Sequence, residues 1–230
     1  MGGNVRAVVF DLDGVLVDSE QLWDTVRRAL AAEAGQPWPP GATRAMQGMS
    51  TPEWSRYLTE VVGIPARPEE VAATVLHRMA AAYHTRLPLV PGAPQVVERL
   101  GQHWPLGLAS SSPRQLIDVV LESSRLAPRF QAIVSTEEVG AGKPSPAVYQ
   151  VVVQRLGVEA AQAVAIEDSS NGLRSAAAAG LGVLAVPNAA FPPSEDALAL
   201  ADIIIPSLDE ITPQLVESVG QKARNPRQHR

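Results

Sequence analysis

The sequence contains no cysteine. Disulfide bonds and thiolate–metal sites are therefore excluded, and any bound metal must be held by oxygen or imidazole ligands. The chain also lacks a run of the ~20 apolar residues that a membrane span needs. Its first residues do not fit a signal peptide, because Asp11 and Asp13 fall where the apolar core of such a peptide would lie. We therefore expect a soluble cytoplasmic protein without a membrane partner.

Basic residues are outnumbered by acidic ones. The 19 lysines and arginines and the 24 aspartates and glutamates leave a net charge of −5. Nucleic acids select for basic protein surfaces, so this balance argues against a nucleic-acid partner. The length of 230 residues suits one medium domain or a core domain with a smaller second one, and we expect a monomer.

Short apolar runs alternate with helical patterns from about residue 90 onward. This alternation predicts an α/β fold, a doubly wound parallel sheet with helices on both faces. Strands are predicted at 5–10, 106–109, 132–134, 163–166, 182–186 and 202–205. Helices are predicted at 22–34, 51–62, 68–83, 94–103, 113–121, 147–156 and 171–179.

Residues 18–87 differ from the rest of the chain, because they carry helical patterns and no strand pattern. We predict that they form an all-helical cap domain. The core domain would then consist of residues 1–17 and 88–230. The linkers near residues 15–19 and 85–91 are expected to act as hinges between the two domains.

Two carboxylates, Asp11 and Asp13, follow the first predicted strand. Residues two apart at a strand end point the same way, so both project from the carboxyl edge of the sheet, where α/β folds bind ligands. A calcium-binding EF-hand loop also begins D-x-D. That alternative fails because Val15 and Leu16 stand where polar ligands are needed and Leu22 stands at the twelfth position.

A second polar segment, Ser110-Ser111-Ser112, follows the strand predicted at 106–109. Hydroxyl and backbone N–H groups at a helix start can bind a phosphate group. Serines also cap helices routinely, and Ser112 is expected to cap the next helix. Lys143 lies before a further predicted helix, where a lysine is either solvated or, if its loop faces the sheet edge, a cation for phosphate and a partner for Asp11.

A second acidic pair, Glu167-Asp168, follows the strand predicted at 163–166. These two carboxylates would converge with Asp11 and Asp13 at one sheet edge. Four clustered carboxylates cannot all stay ionised without a cation. Mg²⁺ suits oxygen ligands combined with a phosphate group, so the pattern predicts a magnesium site.

The four segments together resemble a known family. DLDGVLVDSE, LASSS, GKPSP and IEDSSNG are similar to the four motifs of haloacid dehalogenase-like hydrolases. The branch that they resemble contains phosphoglycolate phosphatase, β-phosphoglucomutase and the sugar-phosphate phosphatases. The resemblance spans nearly the whole chain and includes a helical cap inserted after the first motif.

The resemblance implies an enzyme, a magnesium-dependent phosphatase that hydrolyses small phosphomonoesters such as sugar or polyol phosphates. Asp11 would be the nucleophile that forms an aspartyl-phosphate, and Asp13 would protonate the leaving alcohol and then activate water. Ser110, Ser111 and Lys143 would hold the phosphoryl group. The metal would be held by Asp11, the backbone carbonyl of Asp13 and Asp168, with Glu167 nearby or acting through water.

A phosphosugar mutase of the β-phosphoglucomutase type is the main alternative. Such mutases resemble this chain but carry a histidine, a lysine and an arginine in the cap and a lysine after the second motif. Here the matching positions hold Trp23, Gln47, Thr51 and Pro113, which favours the phosphatase. The cap residues Arg44 and Arg56 could bind the second phosphate that a mutase needs, so the mutase stays an alternative.

Cap residues are expected to select the substrate. Gln47, beside Gly48, is predicted to contact it, and Met46 is expected to line the same surface. Trp23 and Met49 would either line that surface or form the cap core. A non-catalytic phosphate-binding protein on this fold, and a response-regulator receiver, are further alternatives. A receiver is near half this length and carries adjacent acids, so it fits poorly.

Overall fold

The computed structural model describes residues 5–46 and 49–222. A six-stranded parallel sheet lies at its centre, in the order β3-β2-β1-β4-β5-β6. The strands are β1 (Ala7–Phe10), β2 (Leu106–Ser110), β3 (Phe130–Ser135), β4 (Ala163–Glu167), β5 (Gly182–Ala185) and β6 (Ile203–Ile204). This order is doubly wound about β1, so the predicted fold class is confirmed.

The strands alternate with α-helices along the chain. These are α1 (Glu20–Glu33), α2 (Ala42–Ala45), α3 (Thr51–Glu60), α4 (Pro68–Thr85), α5 (Ala93–Gly101), α6 (Arg114–Ser123), α7 (Thr136–Val139), α8 (Ala147–Arg155), α9 (Ser170–Ala178), α10 (Glu195–Leu198) and α11 (Pro213–Lys222). Each predicted helix is present with ends shifted by at most a few residues. The three one-turn helices α2, α7 and α10 and the last helix, α11, were not predicted.

The core lies on both faces of the sheet. Along β1, Val8 and Phe10 pack into one apolar cluster, whereas Ala7 and Val9 pack into a second cluster on the other face. Both faces of a parallel sheet are covered by helices, so its strands are apolar at every position rather than at alternate ones. This burial explains why the continuous apolar run Ala7–Phe10 forms a central strand.

The segment between β1 and α5 is helical. The helices α1, α3 and α4 pack together there, around buried side chains such as Trp54, Leu58 and Met79. The chain enters and leaves this segment at one place, where Val17 and Leu89 form an antiparallel bridge. Asp18 N–H also donates to the Pro88 carbonyl at 2.8 Å. We call this paired crossing, residues 17–18 and 88–89, the neck.

One local prediction is wrong. Ser112 was expected to cap the helix that follows it, but the N-cap of α6 is Pro113, in an extended conformation. The Ser112 hydroxyl donates instead to Asp13 Oδ2 at 2.6 Å. The Ser112 side chain therefore bonds the carboxylate of Asp13, which is distant in the chain, rather than the end of the helix beside it.

Among the described residues, no helix is both long and apolar enough to cross a membrane.

Candidate active site

Lys143 lies between two carboxylates at the carboxyl edge of the sheet. Its ammonium group donates to Asp11 Oδ1 at 2.7 Å, to Glu167 Oε1 at 2.5 Å and to the Ala109 carbonyl at 3.0 Å. These three bonds use all three donors of the ammonium group. The loop before α8 thus faces the sheet edge, and the ends of β1, β2 and β4 meet at one lysine.

Burial makes the charges of this cluster strongly interdependent. It raises the pKa of Asp11 well above its usual range, a rise that Lys143 opposes and that Glu167 and Asp13 increase. Burial alone would lower the pKa of Lys143, but the carboxylates of Asp11 and Glu167 outweigh it and raise that pKa above its ordinary value. Lys143 is therefore a permanent cation, and it does not by itself balance the buried acids.

Glu167 is held from several sides. Besides the bond from Lys143, its Oε1 accepts the Tyr149 hydroxyl at 2.6 Å, and its Oε2 accepts the Asp168 N–H at 3.2 Å and the Ser169 hydroxyl at 3.3 Å. The side chain is fully buried. Both oxygens are thus engaged by protein donors.

Gly172 in α9 makes room for this carboxylate. A Cβ at that position would lie 1.9 Å from Glu167 Oε2. Only a residue without a side chain therefore lets the first turn of α9 approach the acid so closely.

Asp168 completes a group that could hold a metal ion. One carboxylate oxygen from each of Asp11, Glu167 and Asp168 lies within 4.8 Å of the others. Asp168 Oδ1 is buried and has no hydrogen-bond partner, and burial raises the pKa of this acid, with Asp11 and Glu167 adding to the rise. Gly14, at φ 85°, leaves space for it, because a Cβ there would lie 1.7 Å from Asp168 Oδ2.

The charge balance of the cluster fits a divalent cation. Three buried carboxylates face one buried ammonium group, which leaves an excess of two negative charges when all are ionised. A buried oxygen without a partner and an all-oxygen donor set both suit a hard cation. The residues present thus fit the predicted metal site.

Asp13 lies outside this acidic cluster and is held by hydroxyl and indole donors. Its Oδ1 accepts the Ser19 hydroxyl at 2.5 Å and Trp23 Nε1–H at 3.3 Å, and its Oδ2 accepts the Ser112 hydroxyl at 2.6 Å. Ser19 and Trp23 belong to the helical segment, whereas Ser112 belongs to the core. The carboxylate of Asp13 therefore bridges the two parts of the molecule.

The two serines predicted to bind phosphate have different surroundings. Ser110 is buried and its Oγ accepts the Ser112 N–H at 2.9 Å, which leaves its hydroxyl proton to donate. Ser111 lines the cavity described next, and its Oγ is buried without a hydrogen-bond partner.

A cavity of about 60 Å³ separates these residues from the helical segment. Its core side includes Asp11, Asp13, Ser111, Lys143 and Asp168, and its helical side includes Trp23, Arg27, Met46, Met49 and Trp54. Trp23, Met46 and Met49 thus face the site and also pack in the larger apolar cluster, which spans the sheet and the helical segment. The predicted contact residue Gln47, with Gly48, lies outside the described residues.

Cationic side chains of the helical segment are placed differently from the sequence-based expectation. Arg56 is exposed on α3, 4.0 Å from Glu60, and lines a separate groove. Arg44 is exposed beside a separate neighbouring pocket that also includes Asp168. The cation that the helical segment contributes to the main cavity, among the described residues, is Arg27, which sequence reasoning missed. The sequence feature that could have indicated Arg27 is its spacing of four residues from Trp23, which places both side chains on the same face of α1.

Tyr149 was missed as well. It lies three residues beyond the GKPSP motif, within a helix whose apolar residues predict only core packing. The contact of its hydroxyl with Glu167 joins α8 to the end of β4, and no local pattern indicates it.

Comparison with known proteins identifies the family of this chain. The family model for haloacid dehalogenase-like hydrolases matches residues 5–180. Hexitol phosphatase B of Escherichia coli strain K12 is 33% identical over 214 residues, which cover 90% of this chain and 95% of that protein. A phosphorylated carbohydrates phosphatase of Thermotoga maritima is 30% identical over 178 residues, covering 77% and 82% of the two chains.

A solved structure is also similar. The crystal structure of a protein described as a putative β-phosphoglucomutase from Thermotoga maritima superposes with a TM-score of 0.69 and is 27% identical, covering 95% of this chain and 99% of that one. The fold and the site together define an α/β protein with a buried aspartate–lysine–carboxylate centre. The chain belongs to the haloacid dehalogenase-like hydrolase family, and the predicted family and the prediction of an enzyme are confirmed.

Proposed function

We propose that this protein is a magnesium-dependent phosphatase that hydrolyses small phosphomonoesters, in particular sugar or polyol phosphates. The observation that carries the proposal is the pairing of Asp11 with Lys143 beside the unpartnered Oδ1 of Asp168. This arrangement supports roles for Asp11 as the carboxylate nucleophile, for Lys143 as a cation for the phosphoryl group and for Asp168 as a metal ligand at one cavity. The names of the phosphatases that are similar over most of the chain support the substrate class.

Asp11 is the nucleophile in this proposal. One of its carboxylate oxygens attacks phosphorus, the ester P–O bond breaks, and an aspartyl-phosphate forms. Lys143 favours the ionised form of Asp11 and offsets the charge of the transferring phosphoryl group. The free hydroxyl of Ser111 and the hydroxyl proton of Ser110 supply further donors to the phosphoryl oxygens.

Asp13 is the general acid and base. It gives a proton to the departing alkoxide, and it then takes a proton from the water that hydrolyses the aspartyl-phosphate and releases Asp11. The donors that hold Asp13 come from both the helical segment and the core. Its position therefore depends on how these two parts are packed together.

Asp11, Asp168 and the Asp13 backbone carbonyl would hold Mg²⁺. When bound, the ion offsets the excess negative charge of the cluster and polarises a phosphate oxygen. Glu167 has both oxygens engaged by protein donors, so we assign it to positioning Lys143, with any contact to the metal passing through water.

We further propose that residues 18–87 act as a movable cap on a core of residues 1–17 and 88–230. The cavity of about 60 Å³ is smaller than the ~300–1,000 Å³ of typical ligand sites, so a sugar phosphate needs more room to enter. The neck is a short two-strand crossing that suits a hinge. Limited proteolysis of the linkers should slow when Mg²⁺ and a phosphate mimic are present, and unchanged rates would contradict the hinge.

A monomer as the active unit stays a prediction from the sequence, which light scattering during turnover would test. A cytoplasmic location stays a prediction from the sequence.

Phosphate release from a panel of esters tests the function. The panel contains hexose 6-phosphates, hexitol phosphates, phosphoglycolate and β-glucose 1-phosphate, with Mg²⁺ and with EDTA, for the wild type and Asp11→Asn. We expect release that requires both Mg²⁺ and Asp11. Absence of release from every ester would contradict the phosphatase.

A mutase is the second candidate, favoured by the similarity to the structure described as a putative β-phosphoglucomutase. Conversion of β-glucose 1-phosphate to the 6-phosphate without phosphate release would establish it. If the protein shows neither conversion nor release, the interpretation that remains is a binding protein on this fold.

A further inference from the structure

Arg27 is a buried cation on the cap side of the cavity. It belongs to α1, only 7% of its surface is exposed, and it lines the same cavity as Asp11 and Lys143. Its guanidinium carbon lies 4.5 Å from the ring centre of Trp23 and 5.0 Å from that of Trp54. Two aromatic rings therefore pack against the guanidinium group in the cavity.

The hydrogen bonding of Arg27 is incomplete. Its Nε is buried and has no hydrogen-bond partner. Burial lowers the pKa of the guanidinium to about 10, while the carboxylates of Glu20, Asp13 and Asp24 oppose this fall, so the group stays charged at neutral pH. A buried charged donor without an acceptor is unfavourable unless a ligand supplies one.

The next residue shows what an arginine with only a surface role looks like on the same helix. Arg28 is about half exposed, its Nε donates to Asp24 at 2.6 Å, and its guanidinium lies 5.0 Å from the ring centre of Trp38. Both arginines stack on tryptophan, but only Arg27 faces the cavity with a free Nε–H. Stacking by itself thus does not account for the position of Arg27.

We infer that Arg27 binds the leaving group of the substrate. Its guanidinium group would donate a hydrogen bond to an oxygen of the leaving group other than the ester oxygen. The enzyme would therefore select phosphomonoesters of polyhydroxy compounds over those of plain alcohols. This inference rests on the proposed phosphatase function and deepens it. Arg27 is assigned to specificity, whereas Asp11, Asp13 and Lys143 carry out the chemistry.

The distinction between specificity and chemistry follows from the geometry. Lys143 and the serines lie at the core side of the cavity, where the phosphoryl group binds, and Arg27 lies at the cap side. Loss of the Arg27 donor should weaken the interaction with a hydroxylated leaving group. It should leave the interaction with inorganic phosphate unchanged.

Two esters with six carbons test the inference. Glucitol 6-phosphate carries hydroxyl groups along its chain, and hexyl phosphate carries none. We would measure kcat/KM for both, and the inhibition constant of inorganic phosphate, for the wild type and Arg27→Met. Methionine keeps an apolar stem against the two tryptophans. Hydrogen bonds from a charged donor correspond to about tenfold to a hundredfold in kcat/KM.

The expected result is a loss of about tenfold to a hundredfold with glucitol 6-phosphate in Arg27→Met, with hexyl phosphate and the phosphate inhibition constant changed by less than about threefold. Arg27→Lys, which keeps a charged donor, should restore part of the preference. Arg28→Met, the matched control, should change none of these quantities.

Equal losses with both esters, or no loss with either, would overturn the inference, as would a wild type that hydrolyses both esters equally well. The melting temperature of each variant, measured beside the kinetics, distinguishes a folding defect from the loss of a specific contact. A folding defect lowers the melting temperature and both activities together. No release from either ester by the wild type would instead count against the phosphatase itself.

Discussion

Gly172 gives a sharp test of how the acidic cluster is built. In an ordinary helix, replacing glycine by alanine stabilises by about 1 kcal/mol. Here the new Cβ would lie 1.9 Å from Glu167 Oε2, so the carboxylate would have to move by about 1.5 Å to reach an ordinary contact distance. Such a movement breaks its bonds with Lys143 and Tyr149.

The magnitude follows from those lost bonds. Breaking a buried ion pair costs about 3–5 kcal/mol, and because Glu167 is displaced rather than removed we take about 3 kcal/mol. The gain in helix propensity offsets about 1 kcal/mol, which leaves a net destabilisation of about 2 kcal/mol. For a chain of this size Tm should fall by about 4–8 °C. Displacement of Lys143 by about 1 Å should also lower kcat/KM by about 100-fold.

Calorimetry and phosphate-release kinetics on Gly172→Ala measure both effects. Gly101→Ala is the matched control, because a Cβ at the end of α5 would meet only Leu106 at 3.4 Å. Adding Glu167→Asp to Gly172→Ala shortens the acid and should make the double variant less destabilised than the two single effects added. A Tm at or above that of the wild type, with unchanged kcat/KM, would refute this account of Glu167.

Three further outcomes are expected. Mg²⁺ at 100 times its dissociation constant should stabilise the protein by about 2.7 kcal/mol and raise Tm by about 5–10 °C, and Asp168→Asn should remove most of that shift in calorimetry of EDTA-treated protein. Tyr149→Phe removes a donor from the buried carboxylate of Glu167 and should cost about 1–3 kcal/mol in urea unfolding. Trp23→Phe keeps an aromatic ring, smaller than the indole, but removes the N–H donor to Asp13, so kcat should fall about fivefold in steady-state kinetics.

Each of these has a result that would contradict it. A Mg²⁺ shift retained in Asp168→Asn would place the metal elsewhere. Tyr149→Phe with wild-type stability would mean that Glu167 does not depend on that hydroxyl. Trp23→Phe should leave the Mg²⁺-dependent rise in Tm unchanged, so a loss of that rise would point to general disorder of the cap rather than to Asp13.

The order of strands and helices was predictable because each depends on a local pattern. Continuous apolar runs such as 163–166 form central strands, since both faces of the sheet are covered. Acids directly after such runs must lie at the carboxyl edge, so the neighbourhood of Asp11 and Asp168 follows from chain direction. The partners of Ser112 did not follow, because its acceptor, Asp13, is 99 residues away in the chain.

The sequence by itself determined the family, the doubly wound sheet and the candidates for nucleophile, lysine and metal ligands, because strand ends and motif spacing are properties of short segments. Only the tertiary structure showed that Lys143 bonds Asp11 and Glu167 together, that Tyr149 secures Glu167, and that Arg27 rather than Arg56 faces the cavity. These contacts join residues far apart in the chain. They depend on how helices pack on the sheet and on each other, which no local pattern specifies.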